Sequence, residues 1–142
     1  ISIHNKGLGE ILAQVEPEDL LKFGMIPEFV GRFPVVATLN PLGEEELINV
    51  LTKPRNALVK QYARFFEMEG VKLTFDDSAL AAVAREAMKK GTGARGLRLI
   101  LEDIMWAIMY EIPSQRDIME CIVTGDCVVN RKKPVIIYKK VA

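Results

Sequence analysis

Apolar residues recur along this chain with two different periods, and the switches between them mark its elements. Pro17 to about Phe23 predicts a short helix, because the fixed φ of proline suits a first helical position and Gly24 is placed to stop it. Residues 1–14 read as loop or at most weak helix, with Gly7 and Gly9 as breakers. Val35-Val36-Ala37-Thr38-Leu39 is a continuous, largely β-branched run between Pro34 and Asn40-Pro41, which predicts a strand buried on both faces. A buried strand needs neighbours, and this region supplies none. The run is therefore expected to belong to a sheet whose other strands lie elsewhere.

Asn40-Pro41-Leu42-Gly43 is a turn and linker, after which the pattern becomes that of a compact α/β (α+β) unit. Glu44, Glu45 and Glu46 open a helix and complement its positive end; Leu47, Ile48 and Leu51 form its apolar side, and Pro54 ends or kinks it. Leu58, Tyr62, Phe65 and Phe66 define a second helix that stops near Gly70. Val71 to Phe75 alternates as a strand does. Asp76 or Asp77 then caps a helix with Leu80, Val83, Ala84, Ala87 and Met88 on its apolar face, ended by Gly91.

The next helix carries Leu97, Ile100, Leu101, Ile104 and Ile108 on one side and Leu99, Met105, Trp106 and Met109 on the other. A helix apolar on both sides is expected to be covered from two directions. Strands near 120–124 and 135–138 complete a small three-stranded sheet with helices packed on it. Residues after the linker can bury a modest core of their own, whereas those before it cannot. This asymmetry, with a first residue Ile1 in place of methionine, predicts a chain cut from or processed out of a larger protein.

Composition narrows the classes. Apolar residues make up 49% and charged residues 27% of the 142, as in ordinary globular domains. Nineteen basic side chains balance nineteen acidic ones, so no global field favours nucleic acid or an anionic membrane. No stretch reaches the roughly 20 apolar residues that span a bilayer. Cys121 and Cys127 match no zinc spacing and lie far from the single histidine, His4; they read as buried thiols in a reducing compartment, and no metal site is expected.

The chemistry concentrates in Lys89-Lys90-Gly91-Thr92-Gly93-Ala94-Arg95-Gly96-Leu97-Arg98. Free N–H groups at a helix start attract anions, and arginines grip phosphate oxygens in a fork. Gly91, Gly93 and Gly96 match the dinucleotide fingerprint, but here it follows a helix, whereas that fingerprint must follow a strand. No Gly-Lys-Ser or Gly-Lys-Thr phosphate loop occurs. The pattern alone leaves two readings open, an anion site or a helix–helix turn with solvated cations. Arg32, between Gly31 and Phe33, is likewise either a surface residue or a fixed cation presented to a partner.

Four ordered runs decide between these readings: Leu12 to Leu20, Ile26 to Arg32, Pro34 to Leu39, and Gly91 to Arg98; Leu58 through Phe66 supports them. Together they resemble the ClpX family of AAA+ protein unfoldases, over nearly the whole chain from about Leu8 to Tyr138. The related HslU shares the plan, but Glu28-Phe29-Val30-Gly31-Arg32 and Lys60-Gln61-Tyr62 are closer to ClpX. Gly43, where the family commonly has serine, and Phe33, where it has leucine, are minor departures.

The resemblance implies a division into 1–39 as the end of the AAA+ large domain, 40–43 as a hinge, and 44–142 as the small domain. It implies that Arg32 is an arginine finger acting on ATP in the neighbouring subunit. It implies that Arg95 is the sensor-2 cation touching nucleotide in its own subunit, with Ala94 and Gly93 lining that site. The implied cofactor is ATP or ADP with Mg, bound mainly by parts outside this chain. Implied partners are neighbouring subunits in a homohexamer, the ClpP peptidase, and protein substrates and adaptors, with no nucleic acid and no membrane, in the cytoplasm or an organelle matrix. The Walker motifs, the pore loop, the ClpP-docking loop and the zinc module of the family do not occur in these 142 residues. On its own, the chain is expected not to hydrolyse ATP. The alternative is a small module holding RNA or another polyanion on the Lys89–Arg98 loop.

Overall fold

The computed structural model describes residues 7–112 and 117–139. The chain divides into two compact units, the first ending at Pro41 and the second beginning at Leu42.

The first unit holds three short helices, α1 (Leu8–Leu12), α2 (Pro17–Phe23) and α3 (Pro27–Arg32). Local chemistry accounts for α2 almost completely. The Glu16 N–H donates to Asp19 Oδ2 at 3.0 Å, Pro17 opens the helix, and Gly24 closes it at φ 112°. Gly24 N–H bonds Leu21 O and Met25 N–H bonds Leu20 O, the paired bonds of a Schellman end. Of the described residues here only Gly9 is buried.

The strand expected at 35–39 does not form: residues 33–43 have no regular structure, and Val35 and Leu39 are 83% and 86% exposed. A strand is held by hydrogen bonds to a neighbour, and the described residues of this unit offer none. The run keeps its apolar character without the sheet that would bury it.

In the second unit, α4 (Glu44–Thr52) and α5 (Leu58–Met68) lead into β1 (Lys72–Phe75), α6 (Asp77–Lys89), α7 (Gly93–Glu111), β2 (Ile118–Val123), α8 (Gly125–Val129) and β3 (Val135–Tyr138). The sheet order is β1-β2-β3; β1 runs parallel to β2, with Leu73 opposite Cys121, and β3 runs antiparallel to β2. A register irregularity between Ile118 and Glu120 shifts the inward positions of β2 to Ile118, Cys121 and Val123, all buried. On the outward face Glu120 accepts from Thr74 Oγ1 at 2.8 Å and pairs with Lys72 at 3.0 Å. These two partners hold its carboxyl below the usual range.

Helix α6 lies at the centre, packed against α4, α7 and α8. Its inward residues Ala79, Ala82, Val83, Ala84 and Ala87 are small, which allows three neighbours to approach it. Asp76 caps it by accepting the Ala79 N–H at 2.7 Å. The Ser78 hydroxyl donates to the same carboxylate and accepts the Gly125 N–H at 2.7 Å, tying the starts of α6 and α8 together. Replacing Asp76 by alanine is expected to cost about 1–2 kcal/mol. Thermal unfolding would register it, and an unchanged midpoint would mean the cap is idle.

Helix α7 buries Leu97, Ile100, Leu101, Ile104 and Ile108 as the periodicity requires. Coverage of its second side is incomplete: Met105 is buried, but Leu99 and Trp106 are 68% and 79% exposed. Both cysteines are buried free thiols, and burial pushes Cys121 up to about 11, which makes it a poor nucleophile. Helix α8 is an element the periodicity did not predict. No helix of the described residues is long and apolar enough to cross a membrane.

Candidate functional site

Two glycines with positive φ, Gly91 at 63° and Gly93 at 54°, carry the chain from α6 into α7. Gly91 N–H bonds Met88 O and Thr92 N–H bonds Ala87 O, so α6 ends in the same Schellman pattern as α2. The glycine triplet joins two helices and no strand, which disposes of the dinucleotide fingerprint.

Helix α7 then begins without compensation at its positive end. Thr92, its N-cap residue, makes no side-chain cap bond, and the first turn has no acidic residue. Over 19 residues the aligned peptide dipoles place about half a positive charge there. An anion is the natural complement.

The four cations around this turn are not equivalent. Lys89 is paired with Glu86 at 2.9 Å, and Arg98 with Glu102 at 2.7 Å. Arg95 and Lys90 have no ion pair among the described residues, and both are exposed. Arg95 also has a fixed base: Ala94 packs on the core and Leu97 is fully buried, on either side of it. A guanidinium free to bind and a backbone held still are what recognition of a phosphate oxygen requires. Gly93 and Ala94, half-buried, stand in the same turn as Arg95.

Arg32 belongs to the first unit, as the last residue of α3. It is exposed and has no ion pair among the described residues. Phe29 and Phe33 on the same segment pack with ring centroids 4.7 Å apart and planes tilted by 45°. The cation sits at the negative end of its helix, where it is favoured.

Two adjoining clefts of the second unit have neither Arg95 nor its neighbours Gly93 and Ala94 in their lining, although Lys90 borders one of them. One is lined by Cys127, Lys132 and Pro134, the other by Glu86, Lys90 and Leu99, and Asp103, Ile104 and Arg131 line both. The Asp103–Arg131 ion pair joins residues 28 apart in sequence, which no periodicity would have revealed. Among the described residues no three His, Cys, Asp or Glu side chains converge on a point that could hold a metal ion.

Residues 42–124 match the family described as the C-terminal, D2-small domain, of ClpB protein. The chain belongs to that family. The match lies within the second unit and includes the α6–α7 turn with Gly93, Ala94 and Arg95. Over 132 residues, 93% of its length, the chain is also 49% identical to the ATP-dependent Clp protease ATP-binding subunit ClpX 3 of Methylococcus capsulatus. That alignment is longer than the second unit alone, so it reaches into the first. The chain spans 30% of that relative's length. The helices and mixed three-stranded sheet of the second unit are thus the small-domain fold, and Arg95 opens its longest helix.

Proposed function

We propose that this chain is the nucleotide-sensing and ring-closing C-terminal part of an ATP-dependent protein unfoldase of the ClpX type. Residues 1–39 close its large domain, 40–43 form the hinge and 44–142 the small domain. The observation that carries this reading is Arg95, a cation with no ion pair among the described residues, in the first turn of a 19-residue helix whose N-cap side chain makes no cap bond. Its setting in a chain 49% identical to a relative named as an ATP-binding subunit supports a nucleotide phosphate as its ligand.

When bound, ATP with its Mg supplies the phosphoryl group to be hydrolysed, and parts of the parent outside this chain hold most of it. Arg95 and the N–H groups of its turn bind the phosphates from the small-domain side, and Gly93 and Ala94 let the nucleotide approach the backbone. Loss of the γ-phosphate removes charge that this cation senses, which turns hydrolysis into movement at the hinge. Arg32 serves the nucleotide of the neighbouring subunit. The ring is a homohexamer, the unfolded protein passes to ClpP, and adaptors select what enters. The open side of α7, with Leu99, Trp106 and Tyr110 exposed, is apolar surface for a neighbouring subunit to cover.

A polyanion-binding module fits less well, because two of the four cations of the loop are already neutralised by Glu86 and Glu102. Steep salt dependence of RNA binding would be its signature.

In the full-length protein Arg95→Ala is expected to lower unfolding per ATP hydrolysed by about tenfold, within the usual range of site–site coupling. An unchanged ratio would remove Arg95 from the mechanism.

A further inference from the structure

Thr92 takes part in two helices at once. Its N–H closes α6 on Ala87 O at 3.3 Å, and the same residue is the N-cap of α7. Its hydroxyl also turns back toward Ala87 O, at 3.4 Å. The side chain fills the space over Gly96: a Cβ there would lie 1.8 Å from Thr92 Oγ1 and 2.7 Å from Thr92 Cβ. Rotating the threonine moves its hydroxyl and leaves its Cβ in place, so any side chain at 96 displaces the backbone of the turn. Glycine inside a helix is unfavourable relative to alanine. The contact with Thr92 is the local feature that requires it here.

We propose that Thr92 and Gly96 are a matched positioning pair that sets how α7 departs from α6, and so the direction in which Arg95 leaves the helix. The proposal rests on the reading of Arg95 as the nucleotide-sensing cation. Arg95 is bonded directly to Gly96, and its turn is pinned by Ala94 and Leu97 in the core. Displacing residue 92 therefore reaches the arginine through three residues of a rigid helix start. Neither member of the pair touches nucleotide in this scheme.

The test is a double-mutant cycle read in two ways: thermal unfolding of the 142-residue chain, and affinity of the full-length protein for a fluorescent ADP analogue. Helix propensity alone predicts that Gly96→Ala raises the melting temperature. The pair predicts the opposite, a fall of about 4–8 °C, with affinity weakened on the order of tenfold through misplacement of Arg95. Adding Thr92→Gly to Gly96→Ala removes both clashing atoms and is expected to bring affinity back to within about threefold of the parent. A rise in melting temperature with unchanged affinity for Gly96→Ala overturns the proposal, and so does a loss that Thr92→Gly leaves unrepaired. Should Gly96→Ala not fold, the double variant must fold and bind, or the pairing is refuted. Arg95→Ala separates the two claims. If it leaves affinity intact while Thr92→Gly still repairs the melting temperature, the sensing role fails and the positioning role with it, although the steric match stands.

Discussion

Replacing Arg32 by alanine in the full-length protein is expected to lower ATP turnover by about 10³–10⁵-fold while leaving nucleotide affinity nearly unchanged. The split follows from where the charge acts. Phosphoryl transfer spreads negative charge over the equatorial oxygens, and a guanidinium arriving from the neighbouring subunit meets that charge most strongly in the transition state. The loss corresponds to about 4–7 kcal/mol of transition-state stabilisation. Binding depends mainly on the phosphate cradle, so it changes little. Arg32 is suited to this role because no carboxylate among the described residues pairs with it, and because it ends a helix on a segment braced by the Phe29–Phe33 ring contact. Arg32→Lys is expected to recover only part of the rate, since an ammonium lacks the planar fork. Turnover equal to the parent's in Arg32→Ala would eliminate the finger role.

The second large effect is on folding. Leu101 is fully buried on the inward side of α7, within the cluster formed with α4, α6 and the sheet. Leu101→Ala should cost about 3–5 kcal/mol, the lost transfer energy plus the cavity left behind. A small domain has only about 5–15 kcal/mol to lose. At about 4–8 °C per kcal/mol, the melting temperature should fall by at least about 12 °C. Leu99→Ala, two residues away on the open side and 68% exposed, should change stability by no more than about 0.5 kcal/mol. Calorimetry or circular dichroism on the 142-residue chain measures both. Equal effects would mean that α7 presents a different face to the core.

Where the chain carries its own local instructions, the fold was legible from sequence. Pro17 and Gly24 bound α2 because a fixed φ and a left-handed residue are local demands, and Gly91 ends α6 for the same reason. The inward face of α7 followed from its spacing alone. What was not legible depends on partners. Val35 to Leu39 reads as a buried strand, yet the described residues of its unit include no strand to pair with it. The second side of α7 reads as covered, yet Trp106 is 79% exposed. Helix α8 was missed because five residues give no period; its signal is the cap, with Thr124 preceding Gly125 and Cys127 close behind at 3.4 Å.

At the site, sequence pattern could not choose between a phosphate grip and solvated cations, and the resemblance to ClpX supplied the choice. The structure adds the sorting of the cations. Lys89 and Arg98 stand three and four residues from Glu86 and Glu102, spacings that pair on a helix surface and could have been noticed. Arg95 has no carboxylate at those spacings on its own helix. That absence denies it a helix-surface partner of the kind that neutralises Lys89 and Arg98. The match between Thr92 and Gly96 could not be read, because it depends on how tightly the turn folds back over the helix start.

A structure of the full-length protein assembled with a slowly hydrolysed ATP analogue tests the central claim most directly. The Arg95 guanidinium is expected within about 3 Å of a phosphate oxygen in its own subunit, and Arg32 beside the terminal phosphate held next door. Density that instead shows Arg95 turned to solvent, with the analogue's phosphates bound and no cation from this helix start near them, would contradict it.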